Sequence, residues 1–193
     1  PFIEGGGIPE AFIGSFQLIL GTITFAAIIG IPAGIFLADY AKEGKLKSFI
    51  VVGIDNLNGT PSIVFGIFGM AFFVNPWDPT RGLVGLNMGI SMIAGQITLA
   101  LMILPTIIRT TEEAVKAVPV GVREGSLALG ATKWQTTYKT VLPAAAPGVI
   151  TGMVLGMGRA AGETAPILFT AATTGTFFLN VLPNKPVMAL PTH

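Results

Sequence analysis

An arginine and a glutamate lie inside a long apolar stretch toward the C-terminal end of the chain. Arg159 and Glu163 are four residues apart and follow a segment, 140–158, that contains no charged residue. On one helix this spacing places both side chains on the same face, where they can form an ion pair. A guanidinium offers paired donors to the oxygens of an anion, and a carboxylate beside it balances the charge of an empty site. The pattern therefore predicts either an anion pathway formed by Arg159, Glu163 and the hydroxyl of Thr164, or a purely structural ion pair.

The composition predicts a membrane protein. Of the 193 residues, 51% are hydrophobic and 11% are charged, whereas about 25% of residues are charged in a soluble domain. The formal net charge of +1 provides no basic field for nucleic acid, and the absence of cysteine excludes disulfides and thiolate chemistry. His193, the only histidine, is the last residue. We therefore expect neither catalytic residues nor a metal site.

Long stretches without Asp, Glu, Lys or Arg predict helices that cross the bilayer, since a crossing needs about 20 apolar residues. We expect an all-α, polytopic membrane helix bundle with four spanning helices. Their predicted bounds are 12–38, 58–74, 84–108 and 146–172. Arg159 and Glu163 then lie near the middle of the fourth span. A charge there costs about 2.5–3.5 kcal/mol, so both side chains should face protein rather than lipid.

Gly152 and Gly156 precede the charged pair on the same predicted helix. At about 100° per residue, both glycines fall on the face that carries Arg159 and Glu163. A Gly-x-x-x-Gly pair allows the backbones of two helices to approach closely. The pattern predicts that this face packs at an inner junction of the protein.

The distribution of basic residues predicts the orientation in the membrane. Eight of the eleven Lys and Arg residues fall between the first and second predicted spans or between the third and fourth, and the opposite side has only Arg81 and Lys185. By the positive-inside rule, the richer side is cytoplasmic. We therefore expect segments 42–47 and 109–142 to be cytoplasmic and segments 1–10, 75–82 and 174–193 to be external.

The segment 109–142 is too long and too patterned to be a simple connector. We expect a first short helix that contains Glu124 and ends at a Gly130 turn. Thr132 and Gln135 have capping-box spacing, which predicts a second helix that stops before Pro143. An apolar stripe with helical spacing runs along both helices, with Arg123, Lys133 and Lys139 around it; its members are Leu127, Ala131, Trp134 and Tyr138. This stripe either packs on the protein's own helix ends or docks a cytoplasmic partner.

The same segment resembles a known family. Glu124-Gly-Ser-x-x-x-Gly130, followed nine residues later by Thr140-Val-Leu142-Pro143, is similar to the EAA loop of binding-protein-dependent ABC transporter permeases. Small residues replace the two alanines of that pattern, and threonine replaces its isoleucine. The resemblance implies the type I importer permease fold, in which this loop is the coupling region for a cytoplasmic ATPase. It thus implies that Glu124, Gly130, Leu142 and Pro143 serve ATPase coupling, and Trp134 of the stripe is expected to add an apolar contact.

A narrower resemblance covers essentially the whole chain. The segments 58–66, 123–136, 158–170 and 186–191 look like the phosphate-uptake permeases, and the Glu-Thr-Ala-Pro sequence at 163–166 is more similar to their PstA subunits than to the PstC partners. We therefore expect residues 1–193 to form a single permease domain, lacking an initial and a final helix that this family has.

The resemblance implies a permease subunit of an ATP-driven importer for inorganic phosphate in the inner membrane of a prokaryote. Its implied partners are a homologous PstC-like permease, a cytoplasmic ATPase dimer that uses ATP and Mg, and an external phosphate-binding protein. The chain itself is expected to bind no cofactor. Two alternatives remain from the residues: an ion-coupled secondary transporter with Glu163 as proton relay, and a structural membrane subunit. The patterned loop disfavours the secondary transporter, because such a protein needs no ATPase dock.

Overall fold

The structure, a computed structural model, describes residues 8–74 and 90–171, and within these ranges all regular secondary structure is helical. Short turns and π-helical turns join the α-helices. In chain order the α-helices are α1 (Ile8–Ile35), α2 (Lys45–Asn58), α3 (Ser62–Gly69), α4 (Met92–Lys116), α5 (Val120–Ala128), α6 (Lys133–Thr136), α7 (Leu142–Ala161) and α8 (Ala165–Thr170). The first, second and third π turns are Phe36–Tyr40, Met70–Val74 and Thr137–Val141.

Three helical stretches of the described chain are long and apolar enough to cross a membrane. They are Phe12–Tyr40, Met92–Lys116 and Lys133–Ala161. A fourth is added if Lys45–Asn58 and Ser62–Val74 together form one broken span. The predicted all-α, polytopic architecture is therefore confirmed, and the predicted first span, 12–38, agrees with the structure to within two residues at its C-terminal end.

The second predicted span, 58–74, has the wrong start. A separate helix, α2, ends at Asn58, and α3 begins only at Ser62 after Pro61. Proline lacks the N–H that a continuous helix needs. The helix is therefore interrupted between Asn58 and Ser62.

The third predicted span, 84–108, continues farther than expected. Residues 84–89 lie outside the described part of the chain, and α4 runs on to Lys116. Glu112 stabilises this extension because its carboxylate contacts Arg109 at 3.0 Å and Lys116 at 2.6 Å, both at helical spacing. Arg109 also pairs with Asp55 of α2 at 2.6 Å. Residues 109–116 thus belong to a helix, and the predicted loop 109–142 begins too early.

One compact unit comprises, among the described residues, 8–25, 59–74, 90–103 and 157–171. In it α8 packs closely on α3, where a Cβ added to Gly66 would lie 3.0 Å from the carbonyl oxygen of Ala165. The Thr170 carbonyl accepts a hydrogen bond from the Ser91 N–H at 3.0 Å. These contacts fix the short helix that follows the charged pair.

The second compact unit comprises residues 26–58 and 104–156. One of its apolar clusters contains Leu37, Ile54 and Ile108. Another joins the ends of α1 and α4 to the beginning of α7; its buried members are Val115, Val118, Val141 and Ala145. This unit therefore contains the predicted coupling segment, which lies within residues 109–142, and the helix ends that position it.

Gly152 lies where α7 meets α4 inside the second unit. A Cβ at this position would come within 2.1 Å of Thr110 Oγ1, whereas a Cβ at Gly158 meets no atom within 4 Å. We expect Gly152→Val to reduce the free energy of unfolding by about 1–3 kcal/mol, because overpacking forces the two helices apart. Thermal unfolding of the purified protein in detergent measures this loss. Gly158→Val is the matched control and should leave the transition close to that of the wild type; equal effects of both changes would contradict close packing at Gly152.

Candidate functional site

The predicted helix–turn–helix is present. Helix α5 begins after Pro119 and ends at Ala128, and the following turn contains Gly130 with φ of +84°. This left-handed backbone favours glycine. The Gly130 N–H donates to the Leu127 carbonyl at 2.9 Å. Gly130 thus reverses the chain between the two helices of the segment.

The predicted capping box starts the second helix. The Gln135 N–H donates to Thr132 Oγ1 at 3.3 Å, and the Thr132 N–H donates to Gln135 Oε1 at 2.9 Å. This helix does not stop before Pro143 as predicted. It continues through the third π turn into α7, since the Leu142 N–H bonds to the Thr137 carbonyl in the wider π pattern. Pro143 has no backbone N–H to donate, and the π turn lies just before it, where the hydrogen-bonding pattern of the helix changes.

Most of the apolar stripe is exposed on the surface of the protein. Trp134 is 66% exposed and Tyr138 is 61% exposed. Their rings stack with centroids 6.2 Å apart. Leu127 and the neighbouring Leu129 are also exposed. The exposed rings of Trp134 and Tyr138 do not pack on the protein's own helix ends, and docking of a partner on this stripe stays a prediction.

The other predicted coupling residues lie around this surface. Glu124 is exposed on α5, and Pro143 is exposed beyond the third π turn, whereas Leu142 is half-buried. Glu124 and Trp134 thus belong to successive helices joined by the Gly130 turn. Their roles in coupling stay predictions.

Arg123, one of the three basic residues expected around the stripe, has partners outside it. It forms an ion pair with Asp39 of the first π turn, and its Nη2 donates to the Val115 carbonyl at 2.6 Å. Asp39 also accepts a hydrogen bond from Thr137 Oγ1 at 2.9 Å. Sequence reasoning missed Asp39. The available signal was its place as the first charged residue after the uncharged stretch 11–38.

The charged pair of the fourth predicted span does not lie on one helix. Helix α7 ends at Ala161 with Arg159 in its last turn, and Glu163 and Thr164 precede α8. The prediction of a continuous span 146–172 is therefore wrong. Pro166 explains the break, because it has no N–H to donate to the Gly162 carbonyl and instead occupies the first turn of a new helix. Arg159 and Glu163 are half-buried and Thr164 is exposed.

The two glycines that precede this site are both buried on α7. Gly152 contacts α4 as described above, and Gly156 is likewise buried. Since α7 ends at Ala161, the glycines share a helix with Arg159 but not with Glu163.

Several apolar spans, together with an exposed and capped helix–turn–helix of EAA spacing, define the class as a multi-pass membrane protein. Residues 30–189 match the family described as "Binding-protein-dependent transport system inner membrane component", and the chain belongs to this family. The protein is therefore a multi-pass component of a bacterial inner membrane.

Two curated relatives are similar along most of the chain. A probable ABC transporter permease of Bacillus subtilis strain 168, YqgI, is 39% identical over 88% of this chain and 55% of its own length. The phosphate transport system permease protein PstA of Yersinia pestis is 37% identical over 99% of this chain and 61% of its own length. The chain thus spans between 55% and 61% of the length of these two relatives.

A solved structure shows the same fold. The MetNI methionine ABC transporter in an inward-facing conformation aligns with a TM-score of 0.65 and 23% identity, covering 80% of this chain and 73% of that chain. The resemblance to the ABC importer permease fold, first drawn from the EAA spacing, is therefore confirmed in three dimensions.

Proposed function

We propose that this chain is the permease subunit of an ATP-driven importer for inorganic phosphate, and that it forms half of the translocation pathway. The observation that carries the proposal is the exposed aromatic pair Trp134 and Tyr138 of the apolar stripe, on a capped helix–turn–helix. A large exposed aromatic surface at the end of a membrane helix fits a partner protein. The similarity to the PstA protein supports phosphate as the substrate.

The proposed partners follow from this role. A cytoplasmic ATPase dimer binds the stripe and uses ATP and Mg, so this chain binds no cofactor and catalyses no reaction itself. A homologous PstC-like permease forms the other half of the pathway, and an external phosphate-binding protein delivers the substrate. The family description, which names binding-protein-dependent transport, supports this arrangement.

Arg159 is the proposed phosphate-attracting residue of the pathway. It is half-buried in the last turn of α7, four residues before Glu163 and five before Thr164, which lie between α7 and α8. Its guanidinium would donate paired hydrogen bonds to phosphate oxygens. Glu163 would balance the charge of the empty pathway, and the exposed Thr164 hydroxyl would add a further donor.

Uptake by the assembled transporter in vesicles tests the substrate assignment. We expect labelled phosphate to accumulate with ATP, the ATPase and the binding protein present, and a non-hydrolysable ATP analogue to prevent it. Labelled sulfate, which has the same tetrahedral shape, is the matched control. Transport of sulfate with no transport of phosphate would contradict the proposal.

A further inference from the structure

The first span ends in a buried carboxylate that contacts the coupling segment at two points. Asp39, in the first π turn, is 4% exposed. It pairs with Arg123 of α5 and accepts the hydrogen bond of Thr137 from the third π turn at 2.9 Å. One acidic side chain therefore joins the end of the first span to both sides of the Gly130 turn.

Arg123 extends this connection to a second membrane helix. While one guanidinium nitrogen binds Asp39, Nη2 donates to the carbonyl of Val115 in the last turn of α4 at 2.6 Å. A planar fork with several donors can hold an acid and a helix-end carbonyl together, which a lysine ammonium does poorly. Arg123 is therefore suited to link α5 with two spans at the same time.

Tyr40, the neighbour of Asp39, makes a third contact with the coupling segment. Lys133 Nζ at the beginning of α6 lies 4.8 Å from the centroid of the Tyr40 ring, a cation–π distance. The Tyr40 ring stacks on Phe36, with centroids 6.5 Å apart. The first π turn thus contacts α5, α6 and the third π turn.

Helix α5 has little else to hold it. None of its residues is buried, and among them only Arg123 and Ser126 are even partly covered. Ser126 Oγ lies 3.0 Å from Thr136 Oγ1 of α6, so this hydrogen bond joins α5 to α6 within the coupling segment. An element without buried apolar side chains is positioned by its polar contacts. The Arg123–Asp39 pair is a direct polar connection between α5 and the first span.

We propose that Asp39 is a positioning residue through which movement of the coupling segment is transmitted to the first span. This inference rests on the proposed function, because it needs an ATPase to move the segment. In the proposed cycle, the ATPase displaces α5 and α6 as one body. The buried pair and the Tyr40 contact then carry the displacement into the first π turn and so into α1.

The test compares variants in the assembled transporter, measuring phosphate uptake and ATP hydrolysis in the same vesicles. We expect Asp39→Asn to lower the phosphate taken up per ATP hydrolysed at least about tenfold, because a buried charge pair is broken. Arg123→Lys, which keeps the charge but loses the fork, should fall between this variant and the wild type. Wild-type uptake per ATP in Asp39→Asn would overturn the proposal.

Glu43→Gln is the matched control, since it makes the same change from acid to amide four residues away. Glu43 is 88% exposed and its ion-pair partner is Lys47, outside the coupling segment. The hydrogen bond from Lys47 lowers the pKa of Glu43, so this carboxyl is charged at neutral pH as the control requires. We expect Glu43→Gln to keep the wild-type uptake per ATP; a loss equal to that of Asp39→Asn would overturn the proposal.

A double variant covers the case in which Asp39→Asn fails to assemble. Asp39→Asn with Arg123→Gln leaves no unpaired buried charge and should restore assembly while uptake per ATP stays low. A structural pair would instead recover both properties together, and a double variant that still fails to assemble would show a folding role. Either result would overturn the proposal.

Hydrogen exchange separates this inference from the substrate assignment. In the wild-type complex, ATP should change the protection of amides in Phe36–Tyr40 and in α5, and Asp39→Asn should abolish the change only in Phe36–Tyr40. This readout needs no transported phosphate, so absent phosphate uptake would count against the proposed function alone. The inference would be overturned if ATP did not change the amide protection of Phe36–Tyr40 in the wild type. It would also be overturned if Asp39→Asn left that change unaltered.

Discussion

Replacing Trp134 with aspartate is expected to weaken ATPase binding by at least about 30-fold, because a buried tryptophan anchor contributes 2 kcal/mol or more to a typical interface. Trp134 is 66% exposed and stacks on Tyr138, so the change removes half of a preformed aromatic surface without opening a cavity. Phosphate uptake should fall accordingly while the permease still inserts. Titration of the ATPase onto vesicles that contain the permease measures the affinity, and uptake in the same vesicles measures the consequence.

Gly121→Asp is the matched control for the added negative charge. Gly121 is exposed in the first turn of α5, and a Cβ there meets no atom within 4 Å. An acidic side chain near a helix N-terminus is mildly favourable. This variant should bind the ATPase like the wild type, and Trp134→Phe should lose only part of the affinity. Wild-type affinity and uptake in Trp134→Asp would show that the stripe is not the ATPase contact.

Replacing Arg159 with glutamine is expected to reduce phosphate uptake about 10- to 150-fold, which corresponds to the loss of one charge-assisted hydrogen bond of about 1.5–3 kcal/mol. Glutamine keeps much of the length and removes the charge. Because Arg159 lies in the last turn of α7, where the helix already ends at Ala161, we expect the complex to assemble normally. Initial rates of labelled phosphate uptake, normalised to the amount of assembled complex, measure the effect.

Two further variants separate a substrate role of Arg159 from a structural one. If Arg159 and Glu163 only stabilise each other, the double change Arg159→Gln with Glu163→Gln should restore assembly and uptake together. If Arg159 attracts phosphate, the double variant assembles but does not transport. Glu163→Gln alone should keep most of the uptake, whereas a proton relay at Glu163 would lose it almost entirely.

Local rules predicted much of the fold. The absence of charge from 11 to 38 predicted the first span, and the Thr132 and Gln135 spacing predicted the start of α6. Both features depend on residues close in sequence, whose physical requirements are met within one helix. The Gly130 turn was predictable for the same reason, since its left-handed backbone favours glycine.

The end of the fourth span was predicted wrongly although the signal was present. Apolar composition continued past Arg159 and hid the effect of Pro166. Because this residue has no N–H for the Gly162 carbonyl, α7 cannot continue through it, and it occupies the first turn of α8 instead. The i, i+4 spacing of Arg159 and Glu163 therefore did not correspond to one helical face. Charge content decides whether a segment is apolar, but proline decides where its helix stops.

The anchoring of the coupling segment was beyond sequence reasoning. Asp39 and Arg123 are 84 residues apart, and neither side chain has a local feature that identifies the other as its partner. The sequence placed Arg123 with Lys133 and Lys139 around the apolar stripe, with no sign of an acidic partner in the first span. Only packing of the first π turn against α5 brings the two charges together.

The energy source of transport tests the central claim most directly. Vesicles that contain the assembled transporter, the ATPase and the binding protein are loaded with ATP on the ATPase side, and ionophores abolish the proton and sodium gradients. We predict that the initial rate of phosphate uptake is unchanged by the ionophores and falls to background without ATP. Uptake that persists without ATP and disappears with the ionophores would contradict an ATP-driven permease and identify an ion-coupled transporter.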